Sequence, residues 1–178
     1  MKELATPFPA HWTVRQARDA YLAENGFTVD SYEARWTDAS FFGVPFKVPN
    51  TKRHRWAIRL HDLHHVASGY GTDLVGEGEI SAWELRSGLG SLGLYVGGIV
   101  VLGTLAGVTF APRRVLAAWR EAKGLRSLFT LGTAGGAAAY EELLALTVGE
   151  LREWLGMSAD GLASAPRKLH DYAPEPAT

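Results

Sequence analysis

Apolar residues recur at helical spacing over most of the chain, and helix stop signals separate the runs. Val14 to Asn25 reads as a first helix, with Thr13 as N-cap and Gly26 where a left-handed C-terminal residue falls. A second runs from Thr51 to Ser68, capped by Asn50 and ended by Gly69. Trp56, Leu60, Leu63 and Ala67 share its core stripe. After the turn Gly69-Tyr70-Gly71-Thr72, a third helix covers Asp73 to Ser87. Pro112 starts a basic amphipathic helix carrying Arg113, Arg114, Arg120, Lys123 and Arg126. The run Gly132 to Ala139 is low in complexity and reads as a loop. A final helix covers Tyr140 to Leu155, ended by Gly156.

Two stretches depart from this pattern. Tyr32, Ala34 and Trp36 alternate with polar residues, then Phe41, Phe42, Val44, Phe46 and Val48 follow among Gly43, Pro45 and Pro49. That predicts one or two short strands or an extended arm near residues 31–49, confined to an edge by its prolines. Residues 1–12 and 158–178 read as irregular, and the first twelve lack the apolar stretch of a signal peptide. The expected fold class is mainly α: a single-domain helical bundle over residues 1–178 with an antiparallel helix hairpin.

The second departure is Ser87 to Pro112, 26 residues without a charge and with seven glycines. It is long enough to span a bilayer, and Gly93/Gly97 and Gly103/Gly107 are small-xxx-small pairs. A buried glycine-rich hairpin is the soluble alternative, because so much glycine disfavours one straight helix in water. A groove for a lipid tail, or a dip into the membrane surface, is the third reading. The basic helix that follows could lie on anionic lipid or simply be solvated.

Charge and cysteine content narrow the chemistry. Lys plus Arg (18) against Asp plus Glu (19) gives a net charge of −1, so nothing in the totals marks a nucleic-acid binder. With no cysteine, disulfides, thiolate metal sites and thiol catalysis are excluded. Any metal site must use His and carboxylate ligands, which suit Zn, then Mn or Fe.

Such ligands cluster in His61-Asp62-Leu63-His64-His65. On a helix His61, Asp62 and His65 share an arc of about 100°, away from the core stripe. Two His at i and i+4 can reach one ion. Glu77 follows His65 by twelve positions, and the glycine-bounded turn sets it level with His65 in an antiparallel hairpin. Glu84, seven residues further on, shares the face of Glu77 and could reach the site or its surroundings. His64 points away and reads as a bystander or a supporting group.

The pattern His61-Asp62-x-x-His65-x11-Glu77, with Gly69, Thr72, Gly76, Glu84 and Gly88 in register, resembles the ubiquinone (coenzyme Q) biosynthesis protein 4 family. The match covers roughly Arg59 to Gly88. The Phe46-Lys47-Val48-Pro49-Asn50-Thr51 entry to the second helix resembles a divergent bacterial-type branch, and the Gly69-Tyr70-Gly71-Thr72 turn lacks the Met-Pro of better-known members. The resemblance implies a mostly helical fold and a divalent metal, usually zinc, with ligands at His61, Asp62, His65 and Glu77. It implies a peripheral membrane protein that meets other quinone-biosynthesis proteins; the expected location is the cytoplasmic face of the inner membrane, with the cytoplasm as the alternative, and a homo-oligomer is one expected form. The implied activity is loss of the ring carboxyl of a polyprenylated hydroxybenzoate, by decarboxylation or its oxidative form. Glu84 and Asp62 are the catalytic candidates, Glu84 as general acid or base or as the group orienting a ligand histidine. The competing expectations are a non-enzymatic lipid-binding or scaffold protein with a structural metal, and a metal hydrolase of soluble substrates.

Overall fold

A computed structural model describes residues 8–41, 44–131 and 136–162. Among them are seven helices and one two-stranded sheet. They are α1 (Val14–Glu24), β1 (Trp36–Phe41), β2 (Val44–Pro49), α2 (Lys52–Ser68), α3 (Leu74–Ser87), α4 (Gly93–Phe110), α5 (Pro112–Glu121), α6 (Gly136–Ala145) and α7 (Val148–Leu155). Short 3-10 turns occupy Val29–Glu33 and Leu128–Leu131. The mainly helical expectation is met, and β1 pairs antiparallel with β2, Trp36 opposite Pro49.

α2 is the central helix. Leu60, Leu63 and Ala67 are wholly buried, as the stripe predicts, and they pack with Ile80 and Trp83 of α3 and with Leu128 and Phe129. A second apolar cluster joins Tyr21 and Leu22 of α1 to Tyr32 and Val66. The N-cap of α2 is Thr51, whose hydroxyl accepts from the His54 N–H; Asn50 is used elsewhere, its amide donating to the Ala34 carbonyl. Gly69 closes α2 at φ 83°, a left-handed conformation that suits glycine. Asp73 caps α3 through the Val75 and Gly76 N–H groups.

Three expectations are corrected. The stretch predicted as one helix over Tyr140 to Leu155 is α6 and α7, broken at Thr147, which caps α7 with a reciprocal Glu150 contact. Gly136 to Ala139, read as loop, opens α6, while residues 132–135 lie outside those described. Tyr32 sits in a 3-10 turn and not in an alternating strand, because its ring is drawn into the α1–α2 cluster.

The uncharged segment forms one helix after a short turn, not a hairpin. Its glycines explain how. A Cβ on Gly78 of α3 would lie 2.4 Å from the Gly107 Cα, and one on Gly103 would lie 2.5 Å from the Ser81 hydroxyl. Close backbone approach to α3 offsets the low helix propensity of glycine. The opposite face is uncovered: Leu94 is 97% exposed, with Val101, Leu102, Leu105 and Val108 exposed beyond it. α4 is long and apolar enough to cross a membrane by length and composition.

α5 ends at Glu121, so Lys123 and Arg126 lie outside it. Arg114 does not face solvent freely: its guanidinium donates twice, at 2.8 and 2.6 Å, to the buried Glu79 carboxylate of α3. Arg126 stacks over Trp154.

Candidate metal centre

The α2–α3 hairpin brings His61, His65 and Glu77 together. His61 Nε2 and His65 Nε2 are 3.1 Å apart. The Glu77 carboxylate closes the triangle, Oε2 at 3.2 Å from His61 Nε2 and Oε1 at 3.4 Å from His65 Nε2. Four-coordinate zinc, with bonds of about 2.0–2.1 Å, sets its ligand atoms about 3.3 Å apart. The two nitrogens have that spacing, each is met by a different oxygen of Glu77, and one donor atom from each of the three residues lies within 4.8 Å of the others.

The other ring nitrogens fix which atoms face the centre. His65 Nδ1 lies 2.9 Å from the Tyr70 carbonyl, which can only accept, so Nδ1 carries the proton. His61 Nδ1 lies 2.8 Å from Glu84 Oε1, and that carboxylate likewise accepts. Both Nε2 lone pairs therefore point at the same small space. Two lone pairs that close repel unless a cation, proton or metal, lies between them. The group can hold a metal ion.

Glu84 is fully buried and serves two histidines at once. Its Oε1 accepts from His61 Nδ1 and, at 2.7 Å, from His64 Nδ1. His64 Nε2 in turn accepts from the Leu128 N–H at 2.9 Å, which holds that ring in one tautomer and ties α2 to the second 3-10 turn. Burial would raise the Glu84 pKa, but the His61 charge and both imidazole hydrogen bonds bring it down to about 2. Burial opposes charge on His61, yet the Glu84 and Glu77 carboxylates hold its pKa well above the usual imidazole range. Glu77, where burial is overcome by His65 and His61, lies well below the usual carboxylate range. His64, buried away from water, is pushed down and stays neutral.

Asp62 is placed beside this group and not within it. Its Oδ2 accepts the Tyr32 hydroxyl at 2.6 Å, and burial raises its pKa against the pull of His61 and of Tyr32. Tyr21 stacks on the His65 ring, centroids 5.4 Å apart, and fixes its plane from α1. Sequence reasoning missed Tyr21, Tyr32 and the Tyr70 carbonyl. The first two come from distant segments, and a backbone acceptor leaves no trace in residue type.

One side of the centre is open. The His61 side chain is 24% exposed and that of Glu77 41%, whereas His65, His64 and Glu84 are sealed. No protein-family model, curated protein or solved structure matches the chain.

Proposed function

We propose that the chain binds zinc through His61, His65 and Glu77 and removes the ring carboxyl of a polyprenylated hydroxybenzoate at a membrane surface. The carrying observation is the pair of Nε2 lone pairs 3.1 Å apart, each fixed by a hydrogen bond on the far side of its ring. Carbonyl and carboxylate partners behind ligand imidazoles are the usual support of a metal site. The open side at His61 and Glu77 favours a catalytic over a structural metal, since structural sites are closed by protein ligands.

A bound divalent ion supplies Lewis acidity, which stabilises negative charge as a carboxyl leaves an aromatic ring. In that reaction the ring–carboxyl bond breaks, its electron pair stays on the ring carbon, carbon dioxide departs and one proton takes its place. Glu84, sealed behind His61 and His64, acts as the group that keeps His61 aimed and basic. The uncovered apolar face of α4 suits a polyprenyl-bearing substrate and the membrane that holds it. Contact with other quinone-biosynthesis proteins belongs to the same reading. So does the sequence pattern His61-Asp62-x-x-His65-x11-Glu77, which resembles the biosynthesis protein 4 family, with Asp62 held by Tyr32 beside the three proposed ligands.

The test joins metal analysis to turnover. Purified without chelators, the wild-type chain carries about one zinc per chain, with Mn or Fe as the alternatives, and releases carbon dioxide from a prenylated hydroxybenzoate. His65→Ala loses both. A metal-loaded chain that leaves this substrate untouched returns the protein to the scaffold reading, and a metal-free wild type removes both.

A further inference from the structure

A second site lies on the other side of α2. A cavity of about 680 Å³ opens between the start of α2 and the start of α4, lined by Lys52, Arg53, Trp56, Arg59, Leu94 and Tyr95 among others. Trp56 and Arg59 stand about 220° and 160° round the helix from His61, so this cavity is separate from the metal centre. Among the described residues no acidic side chain lines it.

Its electrostatics are unbalanced. Lys52 and Arg53 occupy the first turn of α2, where the helix dipole is positive, and that turn holds no acidic residue. Arg53 then reaches across to α4. A Cβ on Gly93 would lie 2.6 Å from Arg53 Nη1, so the guanidinium rests on the first residue of a second helix whose opening turn also lacks an acid. Among the described residues Lys52 and Arg53 have no ion pair, while Arg59 pairs with Glu33. Two cations held against two positive helix ends repel one another, and an anion between them removes the conflict.

The walls show what the anion is attached to. Tyr95, its hydroxyl donating to the Pro49 carbonyl at 3.0 Å, and Trp56 give the cavity aromatic sides. Leu94, at the mouth, is 97% exposed. Val101, Leu105 and Val108, also exposed, lie within about 40° of Leu94 on the helix wheel, so the apolar face of α4 starts at the cation cluster. A free phosphate has no use for that face. We infer that the cavity takes the phosphate headgroup of an anionic membrane lipid, whose acyl chains lie along α4. The inference rests on the membrane part of the proposed function and is independent of the metal.

Co-sedimentation of the full chain with vesicles tests it, using phosphatidylcholine alone and phosphatidylcholine containing phosphatidylglycerol. The anionic lipid is expected to strengthen binding of the wild type. Lys52→Gln/Arg53→Gln should lose roughly 30-fold of that added partition, about fivefold per cationic side chain. Its zinc content and its binding to phosphatidylcholine should be unchanged, as both positions are exposed. Arg113→Gln/Arg120→Gln should lose much less. Equal loss in the two double variants, or none in the first, overturns the site and leaves the membrane reading standing. Release from anionic vesicles by inorganic phosphate at constant ionic strength makes the ligand a soluble phosphate and overturns the lipid assignment. A wild type that binds neither vesicle removes the membrane reading itself.

Discussion

The His64 imidazole and the Glu84 carboxylate, both wholly buried, meet at 2.7 Å on the same oxygen that takes the His61 proton donor. One acid thus sets the orientation of two rings, only one of which faces His65 and Glu77. Replacing it by an amide separates charge from shape: Glu84→Gln keeps an oxygen that can accept from both rings but removes the negative charge that makes His61 a strong donor to metal. The expected result is a loss of about 10–100-fold in zinc affinity with the helical content retained. Competition titration against a chromogenic chelator reads it, and an unchanged affinity would show that Glu84 plays no part in tuning the ligand.

The hairpin that brings His61, His65 and Glu77 together was legible in the sequence because every part of it is local. His61 and His65 are one turn apart, Gly69 stops the helix, Asp73 starts the next, and equal lengths of helix bring Glu77 back. What surrounds the hairpin was not legible. Tyr32 reaches Asp62 from 30 residues upstream, out of a segment whose alternation imitates a strand. The single helix of the uncharged segment depends on Gly78 in α3 facing Gly107, a pairing invisible to propensity, which sees only glycine in a helix. The break at Thr147 was hidden because α6 and α7 share one apolar period, although the Thr147 and Glu150 spacing of a capping box was there to be read.

Asp62 provides the second test. Its carboxyl is buried and its partner Tyr32 donates at 2.6 Å, so Tyr32→Phe leaves a buried acceptor short of a donor. A lost hydrogen bond to a charged group costs about 1.5–3 kcal/mol. Urea unfolding should show a midpoint lowered accordingly, with the slope unchanged and the zinc content intact. A variant as stable as wild type would mean that Tyr32 packs but does not hold Asp62.

Glycines on opposite sides of α4 give a matched pair. At Gly107 a methyl group meets the Gly78 Cα at 2.6 Å and the Val115 Cγ2 at 3.0 Å, so Gly107→Ala must push α3 and α4 apart. Overpacking of that kind costs about 1–3 kcal/mol. At Gly98 a methyl group meets nothing within 4 Å, and Gly98→Ala should stabilise by up to about 1 kcal/mol through helix propensity. Thermal unfolding of the two variants should move in opposite directions. Movement in the same direction would remove the glycine contact as the reason α4 packs on α3.

The proton and the metal compete for one place, and pH should expose the competition. In the metal-free chain the raised pKa of His61 contributes stability that is full below its ordinary value of 6.5 and is lost as pH rises through the folded value. Glu84 works on the other flank: its stability is full above the ordinary 4.5 and is lost as pH falls towards about 2. The joint contribution of these two groups to the metal-free protein is therefore greatest between about 4.5 and 6.5, while His64, whose pKa is pushed down, takes stability away as pH falls below 6.5. Zinc reverses the alkaline side. To bind, it must displace the proton favoured on His61 by its raised pKa, so its affinity rises with pH and its stabilisation grows with affinity. The shift in unfolding temperature on adding zinc should be small on the acid side of 6.5 and increase steadily above it. Scans with and without the ion across that range read the difference directly. A zinc-induced shift that stays constant with pH would mean that the ion binds without displacing the proton, and that the close approach of His61 and His65 is held by the proton alone.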